Sequence, residues 1–459
     1  MRSTHAIVIT GVMALAAAGP ALGAWGPPER ASRGSEPAQS PDVSVNAAGD
    51  AAAAWVMGKP LAQRVVVSVR PAGGEWGPAQ VISGNGRRAI DPQVAVDGTG
   101  RVVVVWRQAM RMRTVRVRGV RKRQAVYVVR ARDKMVSEVE WGTVTKLSSD
   151  RQKVGRPEVA VDSGGGAVAT WHWGTGTPPG SRGYVGEVQV SQRMSDGAWT
   201  AAQRVSRASI CTSVDDPRVA VGARGHAVVW WQCDLTGGRS TALSVSRGPG
   251  EAFGPERELP FRTFGDVSAD LAVSPAGRAV AVSTGSDGTL DWWRGDVGTT
   301  IALSGLPALG AGEKIDPEAG PAQVAINSTG DALSTWIDRV ERPRAASIAA
   351  DLGVSAPASL SGASTTPSGA GVAVGEARRG VLAWIAGGRV MASARGLDGT
   401  ITPGIAISGS GVPAADPPAI GMDSSGAAVI FWTRVVRGRP VVERASAPPS
   451  LTSLPGRNG

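Results

Sequence analysis

Residues 92–106 read PQVAVDGTGRVVVVW: a short apolar run, an Asp-x-x-Gly turn, a second apolar run, then Trp. The pattern recurs eight times, ending at Trp55, Trp106, Trp171, Trp231, Ser283, Trp336, Trp384 and Trp432. Twelve positions before each end stands an apolar residue: Val43, Val94, Val159, Val219, Leu271, Val324, Val372 and Ile420. The copies end 48 to 65 residues apart, a period that belongs to solenoids, propellers and arrays.

Each copy continues beyond its hairpin. A third strand such as RVVVSVR (64–70) is followed by a Gly-rich turn and a fourth segment, EWGPAQVIS (75–83). Equivalent fourth segments are WGTVTKLSS (141–149), AWTAAQRVS (198–206) and AFGPERELP (252–260). Four antiparallel strands per roughly 50 residues is the blade unit of a β-propeller. The inner strands are apolar on both faces, as expected where sheets stack face to face. Small residues crowd them (51–54 are all Ala), and the terminal Trp should fill the widening gap between neighbouring blades. No stretch shows sustained helical periodicity, so the fold is expected to be all-β.

Residues 24–32, AWGPPERAS, match a fourth segment with no three strands before it. The eighth repeat ends on a third strand, PVVERA (440–445), with no fourth segment after it. The orphan at the start should complete the blade at the end and remove the exposed edges of an open sheet. The expectation is a single eight-bladed β-propeller of four-stranded antiparallel blades over 24–459. Its repeats start near 41, 91, 156, 216, 269, 321, 370 and 416, and 24–32 form the closing strand. A seven-bladed ring with one repeat outside is the alternative.

Residues 1–23 read as a secretory signal peptide: Arg2 supplies the positive region, 6–18 the apolar stretch, and Ala21-Leu22-Gly23 a small-x-small cleavage site. The apolar stretch is too short to span a bilayer, and no later run approaches the ~18 apolar residues of a spanning helix. The mature protein is expected to be secreted, extracellular or associated with the cell surface, and to act as a monomer.

The pattern Pro-x-Val-Ala-Val-Asp-x-x-Gly-x-Ala-Val-x-x-Trp resembles the repeats of secreted bacterial β-propeller proteins, most of which have no assigned activity. The resemblance covers essentially the whole mature chain and implies the ring fold. Similarity to sialidase-type propellers is weaker. Their Asp-box, Ser-x-Asp-x-Gly-x-Thr-Trp, sits at the turn between the outer strands, and here only Ser195-Asp196-Gly197-Ala198-Trp199 is similar to it.

The two cysteines flank the fourth copy. Opposed residues in an antiparallel hairpin have a constant index sum, here about 447 around the turn at 222–225, and Cys211 with Cys233 falls close to it. Export favours a disulfide between them.

Charge is the most lopsided feature. The chain is formally +11, and 101–134 alone hold twelve Arg or Lys against one acid, Asp133, so the remainder is neutral overall. The segment 110–132 reads as an extended hairpin rising from the loop after strand two of the second blade. Its alternating Arg111 and Arg113, then Arg116 and Arg118, predict one basic face, and Arg121, Lys122 and Arg123 are further binding candidates in the same segment. Such a ribbon could grip a polyanion: an anionic envelope polymer, an acidic glycan, lipid headgroups or nucleic acid. Export and the absence of aromatics over 107–126 argue against nucleic acid. Because Arg outnumbers Lys 43 to 6, composition alone makes Arg clusters common, and a solvated surface hairpin is the competing reading.

Other candidates are thin. The Asp or Asn turns (Asp97, Asp162, Asp423, Asn46, Asn327) read as Asx caps, because a calcium loop needs several oxygen ligands where each offers one carboxylate. After signal removal the only histidines are His172 and His226, too few for a triad or a metal pair. Tyr127 and Tyr184 fall in third-strand regions, away from an axial site. Asp91, Asp216 and Asp416 each precede the Pro that opens strand one and should ring one mouth of the channel. No cofactor or metal is implied. The residues favour a non-catalytic binding or scaffold module whose binding face carries the ribbon, the loop 174–183 and the Cys211–Cys233 bridge. Its partner would be an anionic envelope polymer or glycan, or another exported protein. The competing class is a carbohydrate-active enzyme, glycoside hydrolase or lyase. An enzyme requires carboxylates converging with arginine or an aromatic platform at the axis; a scaffold predicts an axis lined by Ala, Val and turn backbone.

Overall fold

The structure, a computed structural model, describes residues 25–449 except 85–86, 118–119, 150–152, 175–185, 208–210, 236–239, 260–267, 285–289, 298–303, 306–321, 338–341, 351–352, 354, 361–366 and 413–416. For 113, 115–117, 120, 122–124, 153, 215–216, 268–269, 284, 290–291 and 304–305 it describes the backbone alone. The signal-peptide expectation, Arg118, Tyr184, Asp416 and the loop 174–183 beyond Gly174 therefore lie outside the described residues. Among those described, no helix is long and apolar enough to cross a membrane.

Eight four-stranded antiparallel sheets follow one another along the chain, each ordered one-two-three-four from the inside outward. Strand one of every blade touches strand one of the next, and that of the eighth returns to the first. The ring is an eight-bladed β-propeller, and the seven-bladed alternative is excluded. Blade 1 shows the unit: Ala38–Val45, Ala51–Met57, Arg64–Arg70 and Gln80–Val81. Each fourth segment keeps two paired residues, flanked by single backbone bonds to strand three, such as Gly77 N–H to Val69 O (2.8 Å) and Ile82 N–H to Val65 O (3.0 Å) in blade 1.

Closure follows the orphan segment. Glu29–Arg30 pairs with strand three of blade 8, Arg439–Ala447, in the register Glu29↔Arg444 and Arg30↔Glu443. The Val442 N–H donates to Ser32 Oγ (3.0 Å), and the Ala31 N–H donates to the Val442 carbonyl (2.9 Å).

The tryptophans occupy the gaps between blades, each against the blade before its own. Trp106 packs on Ala52, Val65 and Val67 of blade 1, Trp171 on Val105 and Val129 of blade 2, and Trp231 on Val188 and Val190 of blade 3. Trp55 closes the series against Val429, Phe431 and Val442 of blade 8. Ser283 cannot fill the gap between blades 4 and 5. Trp230 and Trp293 enter that gap instead, one from each side.

At the far end of the channel the Asx turns cap themselves and bind their neighbours. Asp97 Oδ1 accepts from the backbone N–H groups of Thr99 (2.8 Å) and Arg101 (2.9 Å), while Gly100 takes the left-handed conformation (φ 83°). Asn46 Nδ2 donates to the Asp97 carbonyl of the next blade at 2.8 Å, and Ser424 Oγ donates to Ala47 O at 2.6 Å across the closure. Turn capping thus accounts for Asp97 Oδ1, while Asp97 Oδ2 is buried without a hydrogen-bond partner.

Candidate functional site

The residue just before each repeat's marker apolar position faces the axis. Register makes these positions equivalent: Asp42, Gln93, Glu158, Arg218, Asp270, Gln323, Gly371 and Ala419, one per blade. All but Asp270 line a cavity of about 410 Å³ at the end of the channel where the first strands enter, together with Asp91 and Arg156. Blades 7 and 8 present an apolar wall of Gly371, Val372, Ala419 and Ile420, the lining a scaffold predicts. Blades 1 to 6 do not, and there the expectation of an apolar axis fails. The ring position lines the channel and can bond the next blade, as Asp42 does to Val94, so it admits polar residues.

The mouth is built by irregular backbone. Strand one carries a bulge in blades 1, 2, 3, 4 and 7, and Ser40 (φ 53°) and Asp91 (φ 52°) adopt left-handed conformations before their prolines. Bulges re-aim side chains where a strand must turn toward a site. Asp91 lies in the mouth as the Asp-Pro pattern predicts, ion-paired to Arg107. Asp216 is described only by its backbone, within strand one of blade 4.

Ring side chains also tie blades together. Asp42 Oδ2 accepts the Val94 N–H of blade 2 at 2.7 Å, and Asp270 Oδ2 accepts the Val324 N–H of blade 6 at 2.9 Å. Arg218 Nε stands 3.7 Å from Glu158 Oε1. Desolvation at the mouth raises the Asp42 carboxyl to about 6, against the Val94 hydrogen bond and the Arg156 charge, which lower it; the nearby Glu158 charge adds to the rise. Desolvation also raises Asp270, opposed by Arg218. The formal charges of Asp42, Asp91 and Glu158 are met by Arg107, Arg156 and Arg218.

On the same face stands the ribbon. Strand two of blade 2 runs Arg101–Val117 and strand three Val120–Met135, and their ladder continues to Val117↔Val120, far beyond the partner of Ala89 at Gln108. A bulge between Ala109 and Arg111 resets the alternation. Beyond it, Arg111↔Val126, Arg113↔Gln124 and Val115↔Lys122 share one face, and Thr114↔Arg123 and Arg116↔Arg121 the other. In backbone register, Arg111 and Arg113 thus occupy one parity of the outgoing strand and Arg116 the other. At the foot, Arg107 pairs with Asp91 of the mouth and lies over the Tyr127 ring, 5.2 Å from its centroid. This contact joins the ribbon to the channel.

Cys211 and Cys233 form a disulfide, with Cα atoms 5.2 Å apart, at the same end of blade 4. Val214 is the register partner of Cys233, so the index sum is 447 as read from the turn. His172 belongs to strand two of blade 3, and His226 sits at the blade 4 turn with Nδ1 buried and unbonded. Among the described residues no cluster of His, Cys, Asp or Glu is arranged to hold a metal ion. The fragment 195–199 lies at the turn between strands three and four of blade 3, where Asp196 Oδ1 accepts the Ala198 N–H at 2.9 Å. Asp398-Gly399-Thr400 repeats that turn in blade 7, a copy the sequence reading missed.

No protein-family profile matches the chain, and no curated protein matches it in sequence. Among solved structures it is similar to the BP39L lectin from Burkholderia pseudomallei (12% identity, 82% of this chain and 100% of that chain, TM-score 0.48). It is also similar to the Hadza microbial sialidase Hz136 (12% identity, 86% and 76%, TM-score 0.44). A third likeness is an ulvan lyase, a polysaccharide lyase (11% identity, 65% and 76%, TM-score 0.40). Each is a likeness at low identity, and none transfers a ligand or a reaction to this chain.

Proposed function

We propose that this protein is an exported, non-catalytic binding module that acts at or outside the cell surface and holds an anionic polymer. The contact is the blade 2 ribbon, through Arg111, Arg113, Arg116, Arg118, Arg121, Lys122 and Arg123. The observation that carries the reading is a paired hairpin, projecting beside the axial mouth, in the segment that accounts for the whole net charge of the chain. A pre-formed ladder loses less conformational freedom on binding than a free loop, and clustered cations gain from counterion release. The test is retention of the full chain on anionic and neutral polymers across a salt series. Retention should be confined to the anionic polymers and fall steeply with salt. Salt-independent retention, or none, overturns the reading.

A second reading, a carbohydrate-active enzyme, is favoured by one observation: Asp42, with its carboxyl near 6, shares the mouth with Glu158, Arg156 and Arg218. An acid poised near neutrality beside a second carboxylate suits glycoside chemistry. Turnover of an acidic polysaccharide that disappears in both Asp42→Asn and Glu158→Gln would establish it against the binding module; absence of turnover in the wild type removes it.

A further inference from the structure

We infer that the foot of the ribbon is a docking site for anionic phospholipid at a bilayer surface. This rests on the reading of the ribbon as an anion-binding element and adds a phospholipid surface to the anions it holds. Between blade 1 and the ribbon lies a groove of about 500 Å³ whose floor is Ala109, Met110, Met112, Ala125 and Leu61. Arg87, Arg88 and Arg111 complete its lining, which contains no carboxylate. Leu61 is 74% exposed and Met112 46% exposed. Leu61 also holds a left-handed backbone (φ 73°), a conformation unfavourable for a leucine, and gains no burial from it.

Among the described residues, no ion pair joins Arg87, Arg88, Arg111 or Arg130 to a carboxylate. Arg87 Nη1 and Arg130 Nη2 both approach the Met110 sulfur, at 3.6 and 3.5 Å. Desolvation, with the Arg87 charge beside it, lowers the pKa of Arg130. An anion placed beside Arg87 at the rim would offset its repulsion of Arg130. A soluble polyanion would use the arginines but gain nothing from Leu61 and Met112. A phospholipid surface uses both: phosphate at the rim, and hydrocarbon near the headgroups for the apolar side chains. Methionines adapt readily to such irregular contact. A second copy of this chain is disfavoured because it would bring the same positive ribbon against this one.

The experiment is co-sedimentation of the full chain with vesicles of phosphatidylcholine, alone and mixed with phosphatidylglycerol, beside retention on dextran sulfate. The Leu61→Asn/Met112→Gln double variant leaves charge unchanged, and Asn tolerates the left-handed backbone. Wild type should bind only the anionic vesicles. The variant should bind them about ten-fold more weakly, with dextran sulfate retention unchanged. Equal vesicle binding by variant and wild type, or equal binding to neutral vesicles, overturns the inference. Retention on dextran sulfate without vesicle binding overturns it alone; retention on neither overturns the ribbon reading as well. Self-association of the wild type that the double variant loses would assign the groove to a second copy and overturn it too.

Discussion

Asp42 destabilises the ring at neutral pH in order to stand in the mouth. Its folded carboxyl titrates near 6 against 3.8 for the unperturbed group, so the native state binds the extra proton between those values. Stability is therefore highest below about pH 4 as far as this group is concerned, and falls as pH rises through 6. Asp42→Asn keeps a side-chain acceptor for the Val94 N–H and removes the buried charge. It should raise stability at pH 8 by about 1–3 kcal/mol and flatten the dependence between pH 4 and 6. Urea unfolding of both proteins across that range reads the difference; parallel curves would mean that Asp42 is solvated like a surface acid. The ring position was hidden in the sequence because it is the variable letter of the repeat. Each channel-facing position answers to its own neighbours, polar at Asp42 and tight at Gly371, so Asp, Gln, Glu, Arg, Gly and Ala alternate there and look like noise. Asp91 was legible because its Asp-Pro step is a local signal.

At the scale of elements, the Trp series was legible and its interruption was not. Seven rings at one spacing announce seven filled gaps, and Ser283 announces only a missing ring. The replacements, Trp230 and Trp293, come from another face of strand two and from strand three, and no repeat spacing points to them. Two outcomes follow. Trp171→Ala should lower unfolding free energy by about 3–5 kcal/mol, because the ring is fully buried and the gap cannot collapse. Restoring the consensus with Ser283→Trp should lower stability by about 1–3 kcal/mol, since the gap is already filled. A stabilising Ser283→Trp would show that the fifth gap is under-packed. The cysteine pair was legible for the same reason the hairpins were: a turn fixes an index sum.

For the molecule as a whole, eight copies and one orphan segment determined the ring and its closure, while nothing at that scale determined the partner. The clasp predicts an asymmetry between small and large changes at the N-terminus. Glu29→Ala removes only an exposed ion pair with Arg444 (2.7 Å) and should change stability by less than about 1 kcal/mol. Removing residues 25–32 exposes the edge of Arg439–Ala447 and leaves the backbone of Val442 without its partners. That truncation should broaden the thermal transition and promote association, visible by light scattering; a monomeric protein with unchanged unfolding would show that the ring does not depend on the clasp.

The clasp also sets an order in time. Every other blade is assembled from neighbouring stretches of chain and can form soon after those stretches meet. The eighth joins Glu29 to Arg444, 415 positions apart, so its last strand has to wait for a loop spanning nearly the whole ring to close. Locking is then the final folding event, and unlocking is the first step that unfolding must take from the chain ends. Persistence of this protein should track how rarely the clasp opens, a rate, more closely than the summed strength of the eight blades.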